Sequence, residues 1–202
     1  MQSLFQRTEF VIFTTREYAH AANVSLSSAS HTLARYAKNK LITHLTKGLW
    51  ANITHPYFTP LACVPYLLGK EQGYVSFLTA LHLHGALSQI PNVFHVATTG
   101  HSRKLDTVIG RFEFIQIKPS LMRDGVQWSE TTLPYLMADI EKALLDVLYI
   151  STRKNNRFSH LPEFEFDTFS EDKFQTLFDH LDVSSRIKNA MNIKYKSIIE
   201  PA

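Results

Sequence analysis

Cysteine is almost missing from this chain. The single Cys63 has no partner for an internal disulfide, so nothing in the sequence points to an oxidising compartment. Its neighbours Leu61, Ala62 and Val64 mark it as a small buried apolar residue rather than a nucleophile. Glycine is scarce as well. The seven glycines form neither a phosphate-binding loop nor a dinucleotide fingerprint, which leaves nucleotide cofactors without support. No apolar run approaches the ~20 residues needed to span a bilayer. The opening residues 1–7, MQSLFQR, are too short and too polar for a signal peptide, so a cytoplasmic protein is expected, away from membranes. Internal repeats and low-complexity stretches are absent too. What is present is an ordinary globular composition, 45% apolar and 19% charged over 202 residues, enough for one large domain or two small ones.

Charge favours two. Residues 1–56 hold six cations (Arg7, Arg16, Arg35, Lys38, Lys40, Lys47) against Glu9 and Glu17, a balance of +4. The remainder carries fifteen cations against sixteen acids, a balance of −1. A small basic head on a neutral body is the distribution expected of a nucleic-acid-binding head with a separate effector body. Four of the ten histidines, His20, His31, His44 and His55, also fall in the head. Pro56 and Pro60 interrupt regular hydrogen bonding, so the boundary is placed between residues 1–56 and 57–202.

The most informative stretch is 25–38, SLSSASHTLARYAK. Ser25 suits a helix N-cap, and Leu26, Ala29, Leu33 and Ala37 recur at helical spacing to give one narrow apolar face. The opposite face carries Ser27, Ser28, His31, Thr32, Arg35 and Lys38, donors and acceptors suited to base edges and phosphates in a major groove. Any solvated amphipathic helix has a similar pattern, so the flanks matter. Upstream, 14–22 reads as a short helix starting at a capping threonine, with Tyr18, Ala19 and Ala22 on one side; Asn23 and Val24 make the turn, Val24 plugging the junction. Downstream, 41–45 and 49–53 are β-prone runs around Thr46, Lys47 and Gly48, a hairpin with a cation at its tip. Helix, turn, helix and hairpin in this order predict a winged helix-turn-helix domain whose wing meets a phosphate through Lys47.

The rest predicts a larger mixed α/β domain with a helical C-terminal tail, making the whole chain α+β. The pattern gives a helix over 74–87 capped by Ser76, strands at 93–98 and 112–118 joined through a turn at 106–110, and a strong helix over 139–151. On that helix Asp139, Lys142 and Asp146 form a polar stripe allowing one i, i+4 ion pair worth a few tenths of a kcal/mol. A polar connector at 152–159 leads to two more helices, one capped by Ser170 and one by Ser184 or Ser185. Arg186, Lys188, Lys194 and Lys196 line the last, more simply a solvated face than a second binding surface.

Catalytic patterns do not assemble. His82 and His84 sit two apart on a helix, about 200° from one another, with no further ligand at metal spacing. Asp106, Glu113 and Lys118 lack the acid-and-lysine pairing on one strand face that a metal-dependent nuclease needs, since Glu113 and Lys118 are five apart and on opposite faces. No Ser, His and Asp spacing names a triad. We expect no enzyme, no metal and no cofactor.

The order of the winged helix, GYVSFLTALHLHGAL, VFHVATTGHSRKLDTVIGRFEFIQI and ADIEKALLDVLYI resembles the AbiEi-type antitoxin and transcriptional regulator family of type IV toxin-antitoxin systems. The resemblance covers residues 8–151 and rests on Tyr74-Val75-Ser76 with Ala80-Leu81 and His84-Gly85, on residues 98–103 (TTGHSR), and on residues 141–146 (EKALLD). It implies an N-terminal DNA-binding domain that represses its own promoter through inverted repeats. It also implies a C-terminal domain that counters a nucleotidyltransferase toxin without a stable complex. Nothing in 152–202 matches.

The expected role is therefore a sequence-specific repressor and antitoxin. Ser25 caps the reading helix; Ser27, Ser28 and His31 face bases; Arg35 meets a base or phosphate; Thr15, Arg16, Lys38, Lys40 and Lys47 meet phosphates. Arg103 and Lys104 are a second basic patch or a charged loop between strands. A stand-alone regulator, a protein-interaction module and a nucleic-acid-processing enzyme are the alternatives.

Overall fold

The computed structural model describes residues 4–153, 157–158, 164–165 and 167–199. Helices and strands both contribute, an α+β chain, and two compact units separate. The first comprises Met1–Gly69 with Asp106–Gly110 and Glu130–Tyr135; the second comprises Lys70–Leu105, Arg111–Ser129 and Leu136–Ala202.

In the first unit the order is β1 (Ile12–Thr14), α1 (Thr15–Ala21), α2 (Leu26–Lys38), β2 (Thr43–Thr46) and β3 (Leu49–Ala51). The strands pair antiparallel in the order β1-β3-β2. Strand β3 is central and wholly buried. The expected hairpin is there, but β1 has no counterpart in the pattern read from sequence. Its Ile12 and Phe13, with Phe10 just before, belong to an apolar run that supplies the core. Phe5 stacks on Phe13 at 5.8 Å between ring centroids and meets Tyr36 edge-on at 5.3 Å. Tyr18, Ala19, Ala29, Leu33, Ile42 and Trp50 close the same core.

The unit runs past the expected boundary at residue 56. A 3-10 turn (Pro60–Cys63) leads into α3 (Val64–Leu68), and the Tyr66 hydroxyl donates to the Ile12 carbonyl at 3.2 Å, tying this segment to β1. Cys63 is fully buried, and burial pushes its thiol up to about 12. It stays protonated and unreactive at neutral pH.

The second unit is built on a six-stranded sheet in the order β6-β7-β5-β4-β9-β8. The strands of the sheet are β4 (Gly73–Val75), β5 (Phe94–Thr98), β6 (Arg103–Thr107), β7 (Gly110–Gln116), β8 (Val126–Trp128) and β9 (Leu136–Ala138), the last two residues of β6 and the first of β7 being grouped with the first unit. β4 runs antiparallel to β5 and parallel to β9, while β5 runs parallel to β7. Two expectations are corrected here. Tyr74 and Val75 lie on β4, and α4 is only Phe77–Leu83. Gly85 ends that helix at φ +77°, with Ala86 N–H reaching back to the Leu81 carbonyl at 2.8 Å, a glycine stop. The expected 106–110 connector is in part strand, because Arg103–Thr107 forms β6.

Helix α5 (Ile140–Ser151) is capped by Asp139, whose carboxylate accepts from the Lys142 N–H at 2.8 Å. Eleven of its twelve residues are buried. The Lys142–Asp146 pair is therefore no surface pair; both side chains are 3% exposed. Asp146 also accepts from the Tyr74 hydroxyl at 2.9 Å and the Ser76 hydroxyl at 2.7 Å. Three donors around one carboxylate satisfy a charge that burial would otherwise make costly.

The tail belongs to this core. α6 (Glu171–Asp179) is capped by Ser170, as the pattern predicts, and α7 (Ser185–Ile199) follows. Phe174, Met191 and Tyr195 join the α4–α5 core. Lys173 reaches Asp139 at 2.8 Å and Glu141 at 3.3 Å, and Glu141 also accepts the Ser170 N–H at 2.8 Å. Lys188 and Lys194 donate to the carbonyls of Asp179 and Ser151 at 2.8 and 2.7 Å. Half of the cations expected to line α7 thus cap other helices' C-termini, where positive charge is favoured. Of the polar connector expected over 152–159, residues 154–156 and 159 lie outside the described residues.

Candidate nucleic-acid interface

Helix α1 begins with a complete capping box. The Thr14 hydroxyl accepts from the Glu17 N–H at 3.2 Å, and Glu17 accepts from the Thr14 N–H at 2.6 Å. It ends at Asn23 in left-handed conformation, φ 51°. There the Val24 N–H reaches the Ala19 carbonyl at 3.0 Å and the Asn23 N–H reaches His20 at 3.2 Å, a Schellman motif with asparagine in glycine's usual place. Ser25 then caps α2, accepting from the Ser28 N–H at 3.2 Å. Only Asn23 and Val24 separate the two caps, so the turn is tight. Val24 is 43% exposed and does not plug the junction; Ala19, Ala29 and Leu33 fill it instead.

Helix α2 buries only Ala29 and Leu33, with Tyr36 and Ala37 packed alongside. Leu26 has the expected angular position but is 52% exposed, because it lies a turn ahead of the first residue that reaches the core. The remaining surface is polar: Ser27, Ser28, Ser30, His31, Arg35 and Lys38 are exposed, while Thr32 is half-buried. At 100° per residue, Ser27, His31, Arg35 and Lys38 lie within a quarter-turn stripe. The Ser25 hydroxyl donates to Ser28 Oγ at 2.9 Å, which leaves Ser28 its own hydroxyl hydrogen for another acceptor. Ser25 itself is spent on the cap.

Helix α2 ends as α1 does, with a lysine where glycine is usual. Lys40 has φ 57°; its N–H reaches the Ala37 carbonyl at 2.9 Å, and Leu41 N–H reaches Tyr36 at 3.0 Å. The Lys40 side chain is exposed at the end of the helix.

The β2–β3 hairpin carries exposed Lys47 at its tip, and Gly48 turns at φ 74°. What orients the hairpin is Thr15. Its N–H donates to the Gly48 carbonyl at 2.9 Å, and its hydroxyl accepts the Trp50 indole N–H at 2.9 Å. Thr15 is half-buried and engaged, so the phosphate-contact role assigned to its side chain is replaced by that of an internal brace. Neighbouring Arg16 is exposed. Sequence reasoning missed the Trp50–Thr15 link, because the two residues are 35 positions apart and no local pattern encodes it. Exposed His44 adds a ring 4.6 Å from Trp50.

Together, Arg16, Arg35, Lys38, Lys40 and Lys47 leave five exposed cations on this unit's helices and hairpin. Among the described residues no acid forms an ion pair with any of them.

The second expected patch does not form. Arg103 lies on β6 with its guanidinium 2.6 Å from Glu71 and 4.2 Å from the Phe114 ring centroid. Glu71 is held below the usual carboxylate range, first by the Arg103 hydrogen bond. Arg103 is a structural ion-pair partner, and only Lys104, 3.9 Å from Glu113, remains largely exposed.

The histidines, acid and lysine singled out from the sequence of the second unit are also engaged. His82 and His84 each contact a backbone carbonyl, of Leu87 and Ala138, at 2.9 Å. Glu113 is flanked by Arg157 at 3.0 Å and Lys104, and Lys118 pairs with Asp182 at 2.6 Å. His95 is 4.0 Å from Glu113, but burial, then Arg157, lowers its pKa to about 4. The imidazole is neutral near pH 7, so that contact is no ion pair. Among the described residues no group of three His, Cys, Asp or Glu side chains gathers to hold a metal, and no helix is long and apolar enough to cross a membrane. The chain matches no protein-family model and no curated protein.

Proposed function

We propose that this protein is a sequence-specific, non-enzymatic DNA-binding transcriptional regulator. The first unit acts as a winged helix-turn-helix: α2 enters the major groove, α1 crosses the backbone, and the β2–β3 hairpin is the wing. The observation that carries the reading is the α2 stripe of Ser27, His31, Arg35 and Lys38, exposed on a helix that buries only two residues. Exposed polar groups on a rigidly capped helix, with cations at its C-terminal end and on a braced hairpin, suit base edges flanked by phosphates. Arg16, Lys38, Lys40 and Lys47 take the phosphates, and Ser27, Ser28, His31 and Arg35 the bases.

The resemblance to AbiEi-type antitoxins extends the reading. In it, the protein represses its own promoter through inverted repeats in the cytoplasm, and the second unit counters a nucleotidyltransferase toxin without a stable complex. The deciding experiment titrates purified protein against the DNA upstream of its own gene and against unrelated DNA across a salt series. Specific affinity should exceed the control by ~10³ or more at physiological salt. Equal weak binding to both overturns the regulator reading. Rescue of cells expressing the partner toxin tests the antitoxin role separately.

A further inference from the structure

We propose that α2 reads guanine, with Arg35 as the side chain that sets specificity in a G·C-containing major groove. The inference rests on the regulator reading and adds the class of operator base. Helix α2 contains no Asn, Gln, Asp or Glu. Side-chain amides are the bidentate readers of adenine, and carboxylates accept from the cytosine amino group. Neither reader is present on α2, whose polar stripe faces solvent. Guanine instead offers two acceptors, N7 and O6, to a donor-only fork.

Arg35 is such a fork, and its placement is not that of a floppy surface cation. Its guanidinium carbon lies 5.8 Å from the centroid of the Tyr36 ring. That ring is packed against the core and meets Phe5 edge-on at 5.3 Å. A planar cation propped beside a fixed ring loses less freedom on binding than an unsupported lysine. No acid pairs with it among the described residues, so its donors are not spent within the unit. His31, one turn earlier, adds a single ring donor, and exposed Ala34 offers a methyl to a thymine methyl beside the guanine. Lys38, in the last turn, carries a point charge suited to phosphate.

The test is selection from a pool of randomised duplexes with the full chain, beside the Arg35→Ala variant. The wild type should enrich a site with an invariant guanine. Arg35→Ala should bind that site roughly ten- to hundredfold more weakly and lose the preference at that position alone. Replacing that guanine with its deaza analogue, in which carbon takes the place of N7, should weaken the wild type and leave Arg35→Ala unchanged. A selected site without a required guanine, or an Arg35→Ala variant that still selects the same guanine, overturns the inference while the regulator reading stands. A pool that enriches no sequence overturns both. Because Arg35 is exposed, unchanged thermal unfolding of the variant separates lost recognition from lost fold.

Discussion

Helices α2 and α5 are nearly equal in length, thirteen and twelve residues, yet the first buries two residues and the second eleven. Both carry charge, and the same residue types play opposite parts. On α5, Lys142 and Asp146 face one another in the core and are completed by Tyr74 and Ser76. On α2, Arg35 and Lys38 face solvent, and no acid among the described residues pairs with them. Charge buried with a full complement of partners specifies how elements pack; charge left exposed on a rigid helix is available to a ligand. Sequence periodicity alone does not separate the two, because the i, i+4 spacing of Lys142 and Asp146 looks the same on a wet surface as in a core.

The contrast breaks most visibly at Asp146. Asp146→Ala leaves the Lys142 ammonium buried without its counter-charge, and Tyr74 and Ser76 without their acceptor. A loss of ~3–5 kcal/mol from the second unit is expected, a large share of a stability of ~5–15 kcal/mol. The two tryptophans fall one in each unit, Trp50 in the first and Trp128 in the second. Urea unfolding of Trp50→Phe and Trp128→Phe backgrounds therefore reads the units separately. Only the second should soften. Pairing Asp146→Leu with Lys142→Met should recover the share of the loss due to the stranded ammonium, since an apolar pair of similar volume escapes the desolvation cost, and leave the share due to the Tyr74 and Ser76 hydroxyls, which still lack an acceptor. An Asp146→Ala protein as stable as wild type would show the carboxylate to be dispensable.

Acid gives the next largest effect and again selects the second unit. His95 is buried and neutral in the folded protein with a pKa of about 4, below its ordinary 6.5. Between these values the unfolded chain binds the extra proton and the folded one does not, so stability falls as pH drops through about 6.5 and levels off near 4. The full difference corresponds to ~3 kcal/mol. Urea midpoints for the second unit should decline across that window, and His95→Phe should flatten the decline. The Thr79 hydroxyl keeps its other contacts in that variant, with the Val93 carbonyl and the residue-95 N–H. A midpoint in His95→Phe that falls as steeply as in wild type would assign the acid sensitivity to another group.

What the sequence disclosed follows the range over which each signal acts. Caps are local, so Thr14, Ser25 and Ser170 were legible from residues a few positions apart, whereas Asp139, read as part of the helix stripe, proved to be the cap of α5. The α1–α2–hairpin order and the tail helices were legible for the same reason. Strands β1, β6, β8 and β9 were not. Each is three to five residues long, too short to show a period, and each is defined by a partner distant in sequence. Tyr74 and Val75 read as helix because apolar residues run on from them into α4; pairing with β5 and β9 overrides that local preference. At the candidate site the exposed stripe of α2 was readable as a helical face. The diversion of Thr15 to Trp50 and of Arg103 to Glu71 was not, since both depend on residues more than thirty positions away.

A smaller effect should separate fold from function at one residue. Lys40 holds a left-handed backbone that glycine adopts without steric penalty. Lys40→Gly should therefore raise the first unit's stability by ~0.5–1 kcal/mol while weakening DNA binding equally on all sequences. A variant that is less stable would mean that the lysine stem packs in a way its exposure does not suggest.

The smallest effect tests the hairpin tip. Lys47 is exposed, and the neighbouring Gly48 carbonyl is pinned by the Thr15 N–H, so Lys47→Ala should leave folding unchanged. If Lys47 meets one phosphate, its loss should reduce the slope of log affinity against log salt by ~0.9 and leave the ranking of DNA sequences as it was. Thr15→Val keeps the side chain's size but removes the hydroxyl that accepts from Trp50, and it should produce a similar salt signature by letting the hairpin drift. An unchanged salt slope in Lys47→Ala would remove the hairpin from the interface and leave α2 to bind alone. A changed slope in Lys47→Ala with none in Thr15→Val would mean that the hairpin holds its position without the indole brace.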